Sequence, residues 1–172
     1  SNKLHTLAGL IQIGATKEAL ELIGRESSGY NALLRQLSDQ IQDPFLSAII
    51  VGKYHRAMEL KTELALDPES WMSNIGHSSR SEKIVTILGN LLENALGASA
   101  SSGEQKKVCL SMTDVGNELI FEVEDSGSGI SEDQQKSIFD EGFTTKKGTG
   151  RGIGLQLVQK NLIQLEGHLT VG

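Results

Sequence analysis

Residues 90–95 read NLLENA, and they lie within residues 81–99, SEKIVTILGNLLENALGAS, where apolar residues recur at helical spacing. The apolar stripe of this segment consists of Ile84, Ile87, Leu88, Leu91, Leu92 and Leu96. Asn90 and Asn94 are four residues apart, so they lie on one face of the predicted helix. Amide oxygens suit Mg²⁺, a hard cation that also binds phosphates. The segment therefore predicts a buried helix that presents two amides to a ligand.

The residues that follow this helix predict a sheet. Residues 105–115 and 117–126 read as two strands joined by a hairpin turn at Gly116-Asn117. A short helix and a longer one come later, and residues 167–172, GHLTVG, predict the start of another strand. Helices on one face of a mixed sheet predict a two-layer α/β sandwich. We expect its final strand to be missing from this chain.

The first part of the chain predicts short amphipathic helices, up to about residue 65. Thr16 is a plausible N-cap, and Asp43 fits the N-cap position before a proline. Such helices need a partner for their apolar faces, which predicts a helical hairpin that dimerises into a bundle. The predicted organisation is a helical dimerisation region at 1–67, a linker at 68–80 and a second domain at 81–172. The predicted fold class is α+β.

Composition excludes several classes of function. The chain has 172 residues and a formal net charge of −6, which argues against a nucleic-acid surface. Its single cysteine, Cys109, lies in a predicted strand and is expected to be buried as a small apolar residue. No Cys/His cluster suggests zinc, and no apolar run approaches the ~20 residues that cross a bilayer. A reducing, cytoplasmic setting fits this composition.

Two glycine-rich segments follow, and the second predicts contact with phosphate. The first is DSGSGI, residues 125–130, and the second is GTGRGIGL, residues 148–155, which runs directly into a helix. Free backbone N–H groups at the start of a helix favour a phosphate group. The P-loop pattern is absent, and GxGxxG fails because Leu155 and Glu132 stand where the third glycine is required. Both common nucleotide-binding loops are thus excluded.

The order of four motifs carries a more specific resemblance. NLLENA, DSGSGI, IFDEGFTTK (residues 138–146) and GTGRGIGL follow one another as the N, G1, F and G2 boxes do. This series resembles the ATP-binding domain of sensor histidine kinases, whose fold is shared with gyrase, Hsp90 and MutL. Residues 2–14 and 43–70 resemble the dimerisation region of citrate and C4-dicarboxylate sensor kinases, which is akin to the sporulation phosphotransferase hairpin.

The resemblance implies a role for each matching residue. Asn94 is implied as the Mg²⁺ ligand, Asn90 as a support for the phosphates and Asp125 as the acceptor for the adenine amino group. Gly129 would let the backbone lie against the base. The remaining implied ATP contacts are Gly127 and Ile130 in the first loop, Thr144, Thr145, Lys146 and Lys147 in a lid, and Gly150, Arg151, Gly152, Ile153, Gly154 and Leu155 in the second loop.

One position favours phosphoryl transfer over hydrolysis. ATPases of the resembled fold carry a glutamate four residues before the Mg²⁺-binding asparagine, but here that residue is Asn90, and an amide is no general base. Glu93 adjoins Asn94 and should point elsewhere on a helix. Histidine kinase activity is therefore the preferred interpretation. The alternatives are an ATPase of the same fold that acts as a conformational clamp and a non-catalytic helical phosphorelay module.

The phosphoacceptor histidine is expected just upstream of Ser1, the first residue of this chain. In the resembled family the motif reads His-x-x-x-Asn-Lys-Leu-His, and residues 2–5 match its second half. The acceptor would then lie seven residues before His5, on the same helical face, with His5 itself as the less favoured acceptor.

The resemblance also implies partners and a location. It implies a homodimer formed through the N-terminal helices and a response-regulator receiver domain as partner. It places the parent protein in the inner membrane through upstream segments, with this part in the cytoplasm.

Overall fold

The computed structural model of this chain describes residues 2–24, 28–103, 105–129, 131–137 and 154–171. The helices described are α1 (Asn2–Gln12), α2 (Thr16–Gly24), α3 (Ser28–Gln40), α4 (Pro44–Glu59), α5 (Ser79–Ala100), α6 (Glu132–Ser137) and α7 (Gly154–Leu165). The strands described are β1 (Glu63–Leu66), β2 (Lys107–Val115) and β3 (Glu118–Asp125). None of these helices has the length and apolar character needed to cross a membrane.

The three strands form one mixed sheet in the order β1-β2-β3. β1 is parallel to β2, with Leu64 opposite Val108, and β2 is antiparallel to β3, with Leu110 opposite Val123. Gly116 in the turn between β2 and β3 has a φ of 62°, a left-handed conformation that glycine adopts without strain. The predicted hairpin is therefore confirmed.

The two faces of the sheet differ because side chains alternate along each strand. Val108, Leu110 and Met112 of β2 are buried beneath helix α5, which contacts both β2 and β3. Helices α4 and α7 pack against α5 in turn. The opposite face of β3 is exposed at Glu122 and Glu124. Helices on one face of a mixed sheet confirm the predicted two-layer α+β class.

Helix α5 begins at a capping box. The Oγ of Ser78, the N-cap, accepts a hydrogen bond from the N–H of Ser81 at 3.2 Å, and the Oγ of Ser81 accepts one from the N–H of Ser78 at 2.7 Å. Leu91 is half-buried, and the other predicted stripe residues are buried, namely Ile84, Ile87, Leu88, Leu92 and Leu96. The predicted apolar face of this helix is therefore confirmed.

The prediction of helix up to about residue 65 is wrong for its last part. α4 ends at Glu59, Lys61 follows in a left-handed conformation with φ 52°, and Glu63–Leu66 forms β1. Leu64 and Leu66 are both buried. Residues two apart share a face of a strand but lie on nearly opposite sides of a helix, so only the strand brings both leucines into the core.

The buried core extends across the predicted linker. Leu37 of α3, Ile50 of α4 and Met72 belong to the same cluster of buried residues as Leu92 and Leu110. The buried residues of α4, Leu46, Ile50 and Ala57, are therefore covered within this chain, and the homodimer through the N-terminal helices stays a prediction. The domain limits at 67 and 80 stay predictions.

Two further expectations need correction. The described part of GHLTVG, residues 167–171, is not a strand, because no ladder pairs it with any of the three described strands. Cys109 is half-buried rather than buried, since its side chain lies on the outer face of β2. Burial, followed by the carboxylate of Asp67, raises the pKa of its thiol, which disfavours the reactive thiolate.

Asp43 joins the start of α4 to the segment that precedes α5. Its side chain is fully buried, and one carboxylate oxygen accepts hydrogen bonds from the N–H groups of Phe45 and Leu46, both at 2.9 Å. The other oxygen accepts a hydrogen bond from the N–H of Ile75 at 3.1 Å. The predicted N-cap is confirmed, and the third bond couples two segments that are distant in sequence.

We predict that Asp43→Ala lowers the free energy of unfolding by about 2–3 kcal/mol, because it leaves three buried or partly buried N–H groups without an acceptor. Urea unfolding measures this change. Asp39→Ala, at an exposed carboxylate near the end of α3, is the matched control and should change stability by less than about 0.5 kcal/mol. Equal stability of the two variants would contradict the role of Asp43.

Candidate functional site

One face of α5 meets the first glycine-rich segment of the predicted site. Asn90, Asn94 and Ala98 succeed one another at intervals of four residues, so they line the same side of the helix. A Cβ atom added to Gly127 would lie 2.9 Å from the Cβ of Ala98, so the DSGSGI segment approaches this side of α5. The glycine is required there because no side chain fits between the two backbones.

The carboxylate of Asp125 is held in a tight turn at the end of β3. Its Oδ1 accepts a hydrogen bond from the N–H of Gly127 at 2.8 Å. The side chain is exposed, and Gly129 continues the turn in a left-handed conformation with φ 78°. The second carboxylate oxygen has no partner among the described residues, so it can accept a hydrogen bond from a ligand.

The two asparagines differ in their contacts. The Nδ2 atom of Asn90 donates a hydrogen bond to the carbonyl oxygen of Thr86 at 2.8 Å, which leaves its Oδ1 without a partner in the described part of the chain. The Nδ2 atom of Asn94 is buried and has no hydrogen-bond partner among the described residues. Buried polar atoms are nearly always hydrogen-bonded, so this unpaired N–H donor calls for an oxygen acceptor such as a phosphate or water oxygen. A cation would instead bind the Oδ1 atom of the same side chain.

A metal ion at this position would depend on few protein ligands. The described residues contain no group of three or more His, Cys, Asp or Glu side chains that could hold a metal ion. Mg²⁺ needs few protein ligands when phosphate and water oxygens complete its shell. The amide of Asn94 fits this kind of shared site, and it does not fit a metal centre built from protein ligands alone.

Three serines, Ser99, Ser102 and Ser126, join the end of α5 to the DSGSGI turn, and we call them the serine cluster. The Oγ of Ser99 donates to the carbonyl of Lys107 at 2.9 Å and accepts from the N–H of Ser126 at 3.1 Å. The Oγ of Ser126 accepts from the N–H of Lys107 at 3.0 Å and donates to the carbonyl of Gln105 at 2.6 Å. The Oγ of Ser102 donates to the carbonyl of Ser99 at 2.7 Å.

The sequence interpretation missed the serine cluster, although one signal was present. Ser99 follows Ala95 and Leu96 at helical spacing, so it continues the buried stripe of α5 as a hydroxyl. A hydroxyl on a buried stripe predicts a hydrogen-bond partner. Its partners are Lys107, at the start of β2, and Ser126, directly after β3. Spacing within the helix cannot identify either of them.

Glu93 contacts α4 and not the side of α5 that carries Asn94. Its carboxylate forms ion pairs with Lys53 at 3.0 Å and Arg56 at 3.2 Å. Partial burial would by itself raise the pKa of Glu93, but the hydrogen bonds and charges of Lys53 and Arg56 outweigh it and lower that pKa. The expectation that Glu93 points away from the site is confirmed, and its lowered pKa makes it a weak base.

The structure describes only some of the remaining predicted ATP contacts. Gly154 and Leu155 begin α7, which packs against α5 through the fully buried Val158 among others. The predicted contacts that lie outside the described residues are Ile130, Thr144, Thr145, Lys146, Lys147, Gly150, Arg151, Gly152 and Ile153. Among the described residues, the structure places Gly127, two residues after Asp125, against Ala98, which lies one helical turn beyond Asn94 on α5.

The predicted phosphoacceptor position is not tested by this structure. Ser1, upstream of which the acceptor is expected, lies outside the described residues, and the description begins at Asn2. His5 lies in α1, and its side chain is exposed. The acceptor upstream of Ser1 and the less favoured acceptor His5 therefore both stay predictions.

The class of protein follows from this fold and site. The model of the family described as "Histidine kinase-, DNA gyrase B-, and HSP90-like ATPase" matches residues 79–172, and the chain belongs to this family. The fold is also similar to that of the catalytic domain of the histidine kinase ThkA, with a TM-score of 0.57 at 23% identity, covering 70% of this chain and 75% of that chain.

The chain is also similar in sequence to several sensor proteins and sensor histidine kinases. The chain is 43% identical to the sensor protein CitS of Halalkalibacterium halodurans, covering 98% of this chain and 32% of that protein. It is 35% identical to the sensor histidine kinase CitA of Klebsiella pneumoniae, covering 99% of this chain and 31% of that protein. It is 34% identical to the sensor histidine kinase DcuS of Escherichia coli K12, covering 99% of this chain and 31% of that protein. The chain thus spans about a third of the length of these relatives.

We predict that Gly127→Ala lowers the free energy of unfolding by about 1–3 kcal/mol, because its Cβ would lie 2.7 Å from the Oδ1 of Asp125 and 2.9 Å from the Cβ of Ala98. Thermal unfolding measures the change. The matched control is Gly103→Ala, where no atom lies within 4 Å of the added carbon. If both variants melted at the same temperature, the close approach of the turn to α5 would be refuted.

Proposed function

We propose that this chain is the kinase core of a two-component sensor histidine kinase that binds ATP with Mg²⁺ on the Asn90–Asn94 side of α5. The observation that carries the proposal is the close approach of Gly127, two residues after Asp125, to Ala98, which follows Asn90 and Asn94 on the same side of α5. The unpaired Nδ2 of Asn94 would donate to a phosphate oxygen, its Oδ1 would bind Mg²⁺, and the exposed carboxylate of Asp125 would accept a hydrogen bond from the base.

Different described residues would contact the base, the metal ion and the phosphates of the nucleotide. Asp125 would accept a hydrogen bond from the amino group of adenine, since its second oxygen is unpaired. Asn94 would hold Mg²⁺ and Asn90 would contact the phosphates. When bound, the cation offsets the charge that develops on the transferred phosphoryl group. The glycine-rich segment at residues 148–155 would add backbone N–H groups to the phosphates at the start of α7.

Transfer to a protein acceptor is better supported than hydrolysis. Asn90 cannot act as a general base, and Glu93 is ion-paired to Lys53 and Arg56 with a lowered pKa. No described group beside Asn94 is therefore suited to activate water. Phosphoryl transfer then depends on positioning and charge stabilisation. Sustained ATP turnover without any phosphoprotein would instead indicate a conformational clamp of the same fold.

The N-terminal helices support the proposed homodimer. Apolar side chains on α1 and α2 are largely exposed within one chain, namely Leu4 at 72%, Ile11 at 62% and Leu20 at 55%. A second copy that packs against them would remove this apolar surface from water. The phosphoryl group would pass from ATP to a histidine on this helical region and then to an aspartate of a response regulator. Such a role places this segment in the cytoplasm, with membrane attachment through upstream segments.

We predict that Asp125→Asn weakens binding of a magnesium complex of a non-hydrolysable ATP analogue by about 10–100-fold, because a hydrogen bond to a charged acceptor is lost. Asn94→Ala should weaken the same complex while changing the metal-free analogue less. Isothermal titration measures both, and Asp39→Asn on an exposed part of α3 is the control. Unchanged affinity in Asp125→Asn would refute the nucleotide site.

We predict that the phosphoacceptor lies just upstream of Ser1, seven residues before His5, and that His5→Gln leaves phosphorylation intact. The test uses a chain extended upstream of Ser1, radiolabelled ATP and mapping of the phosphohistidine. Substitution of the upstream histidine by glutamine should abolish labelling, because the acceptor nitrogen is removed. Loss of label in His5→Gln, with label retained in the upstream variant, would reverse the assignment.

A further inference from the structure

The serine cluster places a buried hydroxyl between the helix that carries Asn94 and the turn that carries Asp125. Ser99 is 0% exposed, and its Oγ is bonded both to Lys107 at the start of β2 and to the N–H of Ser126. Ser126 is the residue directly after Asp125. The hydroxyl of Ser99 therefore acts on the backbone beside the carboxylate that we propose to bind adenine.

The backbone of Ser126 is held from two sides. Its N–H donates to the Oγ of Ser99 and to the carbonyl of Lys107, both at 3.1 Å. Its own Oγ accepts from the N–H of Lys107 at 3.0 Å. From Ser126 the chain continues to Gly127, whose N–H orients the Asp125 carboxylate at 2.8 Å. A short series of bonds thus runs from α5 to the carboxylate.

We propose that Ser99 and Ser126 are positioning residues that set the base selectivity of the nucleotide site by fixing Asp125 relative to α5. This inference rests on the proposed function. Adenine carries an exocyclic amino group where guanine carries a carbonyl oxygen, so a fixed carboxylate accepts a hydrogen bond from adenine and repels guanine. A carboxylate that can shift forms a weaker hydrogen bond with adenine and also repels guanine less.

The serine cluster should affect the base and not the phosphates. Asn90 and Asn94 lie on α5 itself, whose position is set by its apolar stripe, including the fully buried Leu92 and Leu96. Removal of one hydroxyl at the end of the helix leaves that stripe unchanged. A purely structural defect would weaken all nucleotides alike, so the ratio of two affinities separates the two roles.

The test compares magnesium complexes of non-hydrolysable ATP and GTP analogues by isothermal titration with this chain. Ser99→Ala and Ser126→Ala are each expected to weaken the ATP analogue about tenfold and to change the GTP analogue less than about twofold. Ser126→Thr, which keeps the hydroxyl, should retain the wild-type ratio. Ser101→Ala is the matched control, because that exposed hydroxyl donates within the end of α5, to the carbonyl of Gly97 at 3.2 Å.

The outcomes separate the positioning role of the two serines from the proposed nucleotide site itself. Reduced preference for the ATP analogue in both alanine variants, with Ser126→Thr and Ser101→Ala unchanged, supports the positioning role. An equal loss for both analogues, or no loss for either, overturns it while the nucleotide site stands. If Ser99→Ala fails to fold, Ser126→Ala and Ser126→Thr decide the question, because Ser126 is only half-buried. Wild-type chain that binds neither analogue refutes the proposed function itself.

Discussion

Helix α5 must bury one face against the sheet and keep another face free for polar groups, and the rest of the structure depends on that division. Leu88, Leu92 and Leu96 are 1%, 0% and 0% exposed. Full burial of such a side chain contributes about 1.5–3 kcal/mol, whereas an exposed ion pair contributes about 0–1 kcal/mol. The apolar stripe therefore sets the rotation of α5, and the direction of Asn90 and Asn94 follows from it.

The ion pairs between α4 and α5 affect chemistry more than stability. Lys53 and Arg56 reach Glu93 from the neighbouring helix, and the Glu93 side chain is 42% exposed, so water screens these pairs. Their consequence is that the carboxylate next to Asn94 in sequence is engaged on the α4 side. Glu93 is therefore not available as a base beside Asn94.

Helices α3 and α4 share one buried core with the sheet and α5. Three residues separate α3 from α4, and the buried carboxylate of Asp43 among them binds the segment before α5. The same α4 pairs with Glu93 on the helix that carries the site. A helical region with exposed apolar side chains is thus joined directly to the elements that carry the site residues.

Local patterns determined much of this protein from sequence alone. The stripe of α5, the four-residue spacing of its asparagines and the hairpin with Gly116 depend on contacts between near neighbours and on the left-handed φ that glycine allows. The order of the four motifs also identified the family without knowledge of any contact. For these features, the residues that decide the structure are the same residues that show the pattern.

Only the tertiary structure decided which distant segments meet. Glu63–Leu66 becomes a strand because β2 offers a parallel partner more than forty residues later, and α4 packs against α5. Residues 167–171 lack such a partner among the described strands and form no strand. The partners of Ser99 lie eight and twenty-seven residues away. Hydrogen bonds and burial across such separations depend on how the layers pack, which no periodicity within one segment encodes.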